Sequence, residues 1–184
     1  MMRFRAGDRK AFSELVHRNT PKVHALIYRF LGDADQLDDL TQEVFLRVYR
    51  TASRYEPTAK FSTWLYRITA NLSFNVLRDR KKSSPRQLDG ASGDPESAGR
   101  DIPDDRLHPP HHPLDAAELR EKVSQAIASL PENQRVAIVL KKYEGKGYDE
   151  IAQVLDVSRM AVKSLLSRAR ENLRQSLSGY LHRG

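Results

Sequence analysis

A stretch rich in proline, glycine and aspartate, from residue 83 to residue 114, divides the chain of 184 residues into two blocks. It holds most of the nine prolines and three of the nine glycines, and its few apolar residues follow no period. Such a segment cannot bury enough apolar surface to offset the entropy lost on ordering. We therefore expect a flexible linker at 83–114 that joins two modules, residues 1–82 and residues 115–184.

Both flanking blocks have the apolar spacing of amphipathic helices, and neither contains an alternating strand pattern of useful length. Pro21 should interrupt the first helix, and Ser62 should cap the third. The predicted fold is all-α, with two small helical domains. The expected helices cover residues 10–31, 37–49, 62–80, 115–129, 132–143, 148–155 and 159–177.

The composition excludes several classes of protein. The chain has no cysteine, which excludes disulfides, thiolate catalysis and every zinc site that needs sulfur. No run approaches the ~20 apolar residues needed to cross a bilayer, and the first residues lack the apolar stretch of a secretory signal. We expect a cytoplasmic protein without membrane insertion.

The positive charge of the chain is concentrated at one end. The formal net charge is +7, and residues 157–184 hold six basic residues and a single acid, Glu171. A local basic excess of this kind favours a polyanionic partner such as nucleic acid.

Residues 148–174 have the pattern of a helix-turn-helix, with Ser158 placed to cap the second helix. Arg159 and Lys163 could contact base edges, while the arginines further along would contact phosphates. An ordinary amphipathic hairpin with a solvated basic face is the alternative. The polar face of the second helix consists of Arg159, Lys163, Ser164, Ser167, Arg168 and Arg170.

A second candidate surface lies on the helix expected over 62–80, opposite its apolar stripe of Leu65, Ile68, Leu72 and Val76. Cations, amides and an aromatic ring on one face could hold a phosphate backbone and an unstacked base. Alternatively, Trp64 is a core residue and the amides form a solvated polar face. The residues of this candidate surface are Lys60, Trp64, Arg67, Asn71, Asn75 and Arg78.

Acids gather at the start of the helix expected over 37–49. Asp38 and Asp39 suit a helix amino terminus because of its dipole, and no further acid or histidine is spaced to complete a catalytic or metal site. Phe45 and Tyr49 lie one turn apart, and we do not expect both to be buried. Acids beside an exposed aromatic ring suit a face that docks on another protein.

Other motifs carry little chemistry. His108, His111 and His112 lie among prolines with no acid or thiol partner, so we expect only adventitious affinity for nickel or copper. There is no phosphate-binding glycine-rich loop, nucleophile elbow or metalloprotease motif. We therefore expect no enzyme, no metal site and no cofactor.

These segments, in this order, resemble an extracytoplasmic-function (ECF) sigma factor, the small two-module class of bacterial transcription initiation subunits. The likeness is carried by AFSELVHRNTPKVHALIYRFLGD, DDLTQEVFLRVYR, KFSTWLYRITANLSFNVLRDRKK and LPENQRVAIVLKKYEGKGYDEIAQVLDVS, together with the continuation to Arg170. The second and third segments are specific to the family as a pair.

The resemblance implies a role for each surface. The segment that begins at Asp38 looks like the part that docks on core RNA polymerase, with Asp38, Asp39, Gln42, Glu43 and Phe45 as candidates. The next helix looks like the part that melts the minus-ten element, and its candidates are Tyr55, Lys60, Trp64, Arg67, Asn71, Asn75 and Arg78. The helix-turn-helix looks like the part that recognises the minus-thirty-five element. The family also implies promoter DNA and an anti-sigma factor or other regulator as partners.

Two departures from the family pattern leave the promoter sequence open. Leu165 stands where a basic residue is frequent, and Met160-Ala161 stands where small residues are frequent. Leu165 contacts a thymine methyl or joins the core. Two other functions stay open at this point: a DNA-binding regulator that uses residues 115–184 alone, and a sigma mimic that sequesters an anti-sigma protein without contacting DNA.

Overall fold

The computed structural model describes residues 1–32, 36–55, 60–83 and 113–181, and every regular element within those ranges is helical. The all-α prediction is therefore confirmed. Most of the predicted linker, with His108, His111 and His112, lies outside the described residues. One turn of 3₁₀ helix covers Ala52–Arg54. The α-helices are α1 (Met2–Arg5), α2 (Arg9–Leu31), α3 (Leu37–Arg50), α4 (Phe61–Ser83), α5 (Pro113–Ser129), α6 (Glu132–Lys142), α7 (Tyr148–Leu155) and α8 (Arg159–Leu181).

The helix α2 runs through Pro21 without a break, so the predicted interruption is wrong. Proline removes one backbone donor from a helix interior. The preceding turn is reinforced by side chains, since Asn19 donates to the carbonyl of Leu15 and Thr20 donates to the carbonyl of Val16, each at 2.8 Å. Five of the six buried residues of α2 follow the proline. Their burial outweighs the lost hydrogen bond.

Helix α2 ends at Leu31, as expected for the helix over residues 10–31, and Gly32 forms its C-cap. The backbone of Gly32 is left-handed, with φ 82°, and its N–H donates to the carbonyl of Tyr28 at 2.8 Å. A Cβ at this position would lie 2.7 Å from the Cβ of Ala128 in α5. Glycine therefore allows both the left-handed end of α2 and the close approach of α5.

The helix α4 begins at Phe61, so Ser62 lies within its first turn and the prediction that Ser62 caps it is wrong. The carbonyl oxygen of Lys60 accepts hydrogen bonds from two N–H groups of that turn, at 2.9 and 3.4 Å. The predicted apolar stripe does pack into the core. It consists of the buried Leu65 and Leu72 and the partly buried Ile68 and Val76.

The helix-turn-helix of the second block forms as predicted, with the bounds of α7 matching at both ends. Asp156 takes a left-handed φ of 58° at the turn, which Asp tolerates better than most residues. The hydroxyl of Ser158 accepts a hydrogen bond from the N–H of Ala161 at 3.1 Å, which confirms Ser158 as the cap of α8.

The two blocks pack on one another, and part of the core is shared between them. One apolar cluster lies within α2, α3 and α4, while the other joins residues of α2 and α4 to buried residues of α5–α8. The α4 residues in the shared cluster are Tyr66, Ala70 and Phe74, at steps of 4 and 4. Helix α4 thus has two apolar faces, and the second of them is covered by the second block.

Candidate functional site

The polar face of α8 is open to solvent. All six side chains that the sequence assigns to it are exposed: Arg159, Lys163, Ser164, Ser167, Arg168 and Arg170. The opposite face packs into the core through Val162, Leu166 and Ala169, each at most 1% exposed. This amphipathic division leaves a basic helix face available to a phosphate-rich groove.

Leu165 is partly buried and packs against the shared apolar cluster. Of the two roles left open by the sequence, the structure thus favours the core. Met160, at the exposed start of α8, is 76% exposed and is the apolar side chain that this end of the helix offers to solvent.

The candidate surface of α4 has two kinds of residue. Asn71 and Asn75 are exposed, one turn apart, on the side away from the apolar stripe. Arg67 and Arg78 flank them on the same helix, and the exposed Lys60 precedes the first turn. The structure brings amides and cations onto one face, as the sequence predicts.

The aromatic residues near the start of α4 form a cluster. Tyr55 is buried, and its ring centroid lies 5.2 Å from that of Trp64 and 6.2 Å from that of Phe61. Arg5 donates to the carbonyl of Tyr55 at 2.6 Å, which ties α1 to this cluster. Trp64 is partly buried and packs on the core of the first block, which matches the core alternative for this residue.

Each cation of the α4 surface is bonded to an acid of the second block, a contact that sequence reasoning missed. Lys60 Nζ lies 3.1 Å from Glu150 Oε1, and a guanidinium nitrogen of Arg67 lies 3.1 Å from Asp156 Oδ1. The paired residues lie far apart in the chain, so no local sequence pattern predicts these ion pairs.

The third of these cations forms the best-defined pair. Arg78 donates two hydrogen bonds to the carboxylate of Glu132, at 3.0 and 3.3 Å. This bidentate contact raises the pKa of Arg78, with the hydrogen bond as the larger cause and the opposite charge as the next.

Two hydrogen bonds hold the side chain of Glu150 in place at the start of α7. Its carboxylate accepts a hydrogen bond from the N–H of Gly147 at 3.2 Å and another from Lys60 at 3.1 Å. These hydrogen bonds, the backbone one first, lower the pKa of Glu150 below its usual value. The residue is therefore a carboxylate at neutral pH.

The acidic end of α3 borders an apolar groove of about 660 Å³ between α2 and α3. Asp38, Asp39 and Gln42 are exposed, and Asp38 lies 3.1 Å from the imidazole of His24. Glu43 is partly exposed and accepts a hydrogen bond from Arg47 at 2.9 Å. Of these predicted docking residues, Asp38 and Gln42 line the groove.

Phe45 and Tyr49 differ in exposure, as expected. Phe45 is 5% exposed and lines the groove as part of the core, whereas Tyr49 is 51% exposed. Leu46, which sequence reasoning did not select, is 47% exposed and lines the same groove. The sequence gives no sign that Leu46 is exposed, because an apolar residue next to the buried Phe45 reads as another core position.

Two family profiles match the chain, one described as Sigma-70 region 2 over residues 15–83 and one as Sigma-70, region 4 over residues 120–173. The ECF RNA polymerase sigma-E factor of Escherichia coli K12 is 33% identical over 182 residues, which cover 98% of this chain and 94% of the relative. The chain belongs to the ECF family of RNA polymerase sigma factors. It binds RNA polymerase and directs promoter-specific initiation of transcription.

Other relatives support the same assignment. The RNA polymerase sigma-H factor of Pseudomonas aeruginosa is 34% identical to this sigma factor over 179 residues, covering 97% of this chain and 92% of the relative. The ECF RNA polymerase sigma factor SigW of Bacillus subtilis is 34% identical over 171 residues, covering 93% and 91%. These similarities extend across both blocks of the chain.

Among solved structures, the sigma factor RpoE of Bartonella quintana, in complex with the anti-sigma factor NepR, has a TM-score of 0.66 to this sigma factor at 21% identity. The alignment covers 92% of this chain and 98% of that chain. The likeness shows that the fold is shared.

Within the described parts of this sigma factor, no helix is both long and apolar enough to cross a membrane. No group of three histidine, aspartate or glutamate residues there could hold a metal ion.

Proposed function

We propose that this sigma factor divides its contacts with the promoter between residues 1–82 and residues 115–184, which residues 83–114 connect. The first module would hold core RNA polymerase and the minus-ten element, and the second would hold the minus-thirty-five element. The two matched profiles, at 15–83 and 120–173, support this division.

The observation that carries the proposal is the exposure of all six polar residues of α8 beside a fully packed apolar face. Arg159 and Lys163 stand in the first two turns, where the second helix of a helix-turn-helix contacts base edges. Arg168 and Arg170 lie further along, where they would contact phosphates, and Ser164 and Ser167 add hydrogen-bonding groups between them.

For the minus-ten element, we propose that Asn71 contacts an extruded base, with Asn75 one turn away. Lys60, Arg67 and Arg78 would neutralise phosphates on either side of that base. Tyr55 and Trp64 would form the aromatic wall beside it, although both are largely packed into the first block. Duplex opening is then driven by binding energy that favours an extruded base over a stacked one.

For the polymerase, we propose that α3 docks through the groove beside α2. Asp38, Asp39, Gln42 and Glu43 would contact basic groups along its edge, and Leu46 and Tyr49 would fill the partner's apolar surface. Phe45 supports this face from the core, because it is buried rather than exposed.

We further infer that this chain performs no covalent chemistry, that it acts in the cytoplasm with the polymerase, and that an anti-sigma factor or other protein regulates it. Support for the regulator comes from the RpoE of Bartonella quintana, solved with NepR, and from CnrH, solved with the cytosolic domain of CnrY.

Run-off transcription from a genomic fragment library tests the proposal, with core polymerase alone and with core polymerase plus this chain. We expect a discrete set of start sites that depends on the chain. Lys163→Ala should weaken protection of the upstream element, whereas Lys142→Ala, an exposed change on α6, should leave it intact. A tight footprint on duplex DNA by the chain without polymerase would instead support a plain DNA-binding regulator.

A further inference from the structure

We propose that Glu132, Glu150 and Asp156 form an intramolecular lock that holds this sigma factor in a closed form. In this form the acids of the second module occupy the cations of the α4 surface, so the phosphate contacts of the minus-ten strand require the modules to separate. The inference rests on the proposed role of that surface in binding DNA.

The acids lie along the length of α4 rather than at one end. Lys60, paired with Glu150, and Arg78, paired with Glu132, are 18 residues apart, or roughly 27 Å along a helix. Arg67, paired with Asp156, lies between them. A carboxylate therefore stands beside every cation of the surface, where a nucleic-acid strand would place its phosphates.

The lock covers cations and leaves the amides free. Asn71 and Asn75 stay exposed between the paired arginines. The closed form thus removes the electrostatic attraction for a strand without covering the groups proposed to select a base. Affinity, more than selectivity, should change when the modules separate.

Apolar contacts hold the modules close enough for these pairs to form. Tyr66 is 1% exposed within the shared cluster, and its hydroxyl donates to the carboxylate of Glu144 at 2.8 Å. Burial is the main cause that raises the pKa of Tyr66, followed by the hydrogen bond to Glu144. Lys22 of α2 lies 3.9 Å from the same carboxylate.

One buried group makes the closed form costly. Arg135 of α6 is 7% exposed and donates to the carbonyls of Phe30 in the first module and Leu130 in the second. No carboxylate bonds to it within the described residues, and its Nε has no hydrogen-bond partner there. Burial lowers the pKa of Arg135. Separation of the modules would return this charge to water, which favours the open form.

The distance between the modules can be measured directly because the chain has no cysteine of its own. Ser13→Cys in α2 and Ser176→Cys in α8 place one label on each module, and both positions are exposed. Single-molecule energy transfer on the full chain then reports the closed and open populations.

The test variant is Glu132→Gln, Glu150→Gln and Asp156→Asn together. Glutamine at 150 can still accept from the N–H of Gly147, and asparagine tolerates the left-handed backbone at 156. The control is Glu118→Gln, Glu121→Gln and Glu171→Gln, which changes the net charge equally but removes no contact between the modules.

Each surface ion pair shifts an equilibrium by roughly 1.5- to 5-fold, so the test variant should shift the closed-to-open ratio about tenfold toward open. Raising the salt from about 0.05 to about 0.5 M should open the unmodified chain and the control, and change the test variant less. Equal distances in all three chains at every salt concentration would overturn the lock.

A second readout separates the lock from the DNA role of α4. The probe is a fluorescein-labelled 30-nucleotide single strand of random sequence, bound to each full-length chain without polymerase. The test variant should bind it about tenfold more tightly than the control, in proportion to the open population. An open test variant that binds no more tightly than the control would support the lock and overturn the proposed DNA role of the α4 cations.

Discussion

The two helix surfaces proposed to meet DNA differ in what lies against their cations. On α8, Lys163, Arg168 and Arg170 are exposed and form no ion pair with other described residues, and Arg159 lies 3.7 Å from Asp149 of its own module. On α4 and just before it, all three cations are bonded to acids of the other module. Similar residues in similar helices therefore present different electrostatic surfaces.

The availability of a basic helix surface therefore depends on the residues that the fold places against it. The α8 face can attract a polyanion in the closed form, because only its apolar side is packed. The α4 face competes for the same kind of partner with carboxylates of its own chain. Upstream and downstream promoter contacts should therefore respond differently to salt and to mutation.

The apolar core that the two modules share should be the part of the chain most sensitive to substitution. Phe74 of α4 lies in the shared cluster, with its ring centroid 5.8 Å from that of Phe30. Phe74→Ala should lower the free energy of unfolding by about 3–5 kcal/mol, because it leaves a cavity between the modules. Urea unfolding followed by far-ultraviolet circular dichroism measures this loss.

The control for that measurement is Leu46→Ala, at an exposed position of α3 that contributes to neither shared packing nor ion pairs. It should change the free energy of unfolding by less than about 0.5 kcal/mol. Losses of equal size in the two variants would show that the shared cluster adds nothing.

Base selection on α4 should depend on the exposed amides rather than on the paired cations. Asn71→Ala should reduce discrimination between matched and mismatched minus-ten sequences by about 1–3 kcal/mol, because it removes a bidentate amide from an exposed position. The measurement is the ratio of open-complex formation on the two templates with holoenzyme. Asn133→Ala on α6, at another exposed asparagine, is the matched control. An equal loss on both templates would remove Asn71 from this role.

The third effect compares the two surfaces directly. Arg170→Ala on α8 should weaken the binding of single-stranded DNA by about 1 kcal/mol. It should also lower the slope of log K against log salt concentration by about 1. Both effects should appear in the unmodified chain and in the variant with Glu132, Glu150 and Asp156 neutralised. Arg67→Ala on α4 should have a similar effect in the neutralised chain alone, because Asp156 already occupies Arg67 in the unmodified chain.

Fluorescence anisotropy at several salt concentrations measures these slopes, and Lys142→Ala serves as the control for the loss of a positive charge. Equal effects of the Arg67 substitution in both chains would contradict the difference between the two surfaces.

The smallest effect is a dependence on pH. The pKa of Glu150 is lowered in the folded chain from its usual 4.5, so the stability it contributes is present above that value and is lost as the pH falls through the folded pKa. The carboxylate faces Lys60 at 3.1 Å and Lys146 at 3.6 Å. Acidification from neutral pH toward the folded pKa should therefore weaken closure by about 0.5 kcal/mol through this residue.

Energy transfer between the labels at positions 13 and 176 measures this change. Glu150→Gln should remove its part of the pH dependence, whereas Glu118→Gln should not. A pH response that is identical in the two variants would assign the effect to other carboxylates.

Features that depend on a few neighbouring residues could be predicted from the sequence. The ends of α7, the Ser158 cap and the left-handed Gly32 follow from local backbone chemistry. The division of α8 into a buried and an exposed face follows from its period. The prediction failed at Pro21, where packing beyond the proline and side-chain hydrogen bonds before it keep α2 continuous.

Contacts between distant segments could not be predicted in this way. The second apolar face of α4 can be recognised only once α5–α8 are known to cover it. The acidic partners of Arg67 and Arg78 lie 89 and 54 residues away along the chain. The role of Leu165 likewise depended on the neighbouring helices, which place it against the core. Periodicity identifies a buried face, but not the segment that buries it.

The bare backbone at Gly32 links two properties that other proteins can adjust separately. One is the position at which α2 ends. The other is the distance between α2 and α5, since a Cβ at residue 32 would lie 2.7 Å from the Cβ of Ala128. Any larger residue would act as a wedge between the modules while also straining the end of α2. A substitution at Gly32 would thus change the packing distance between the two modules and the end of α2 at the same time.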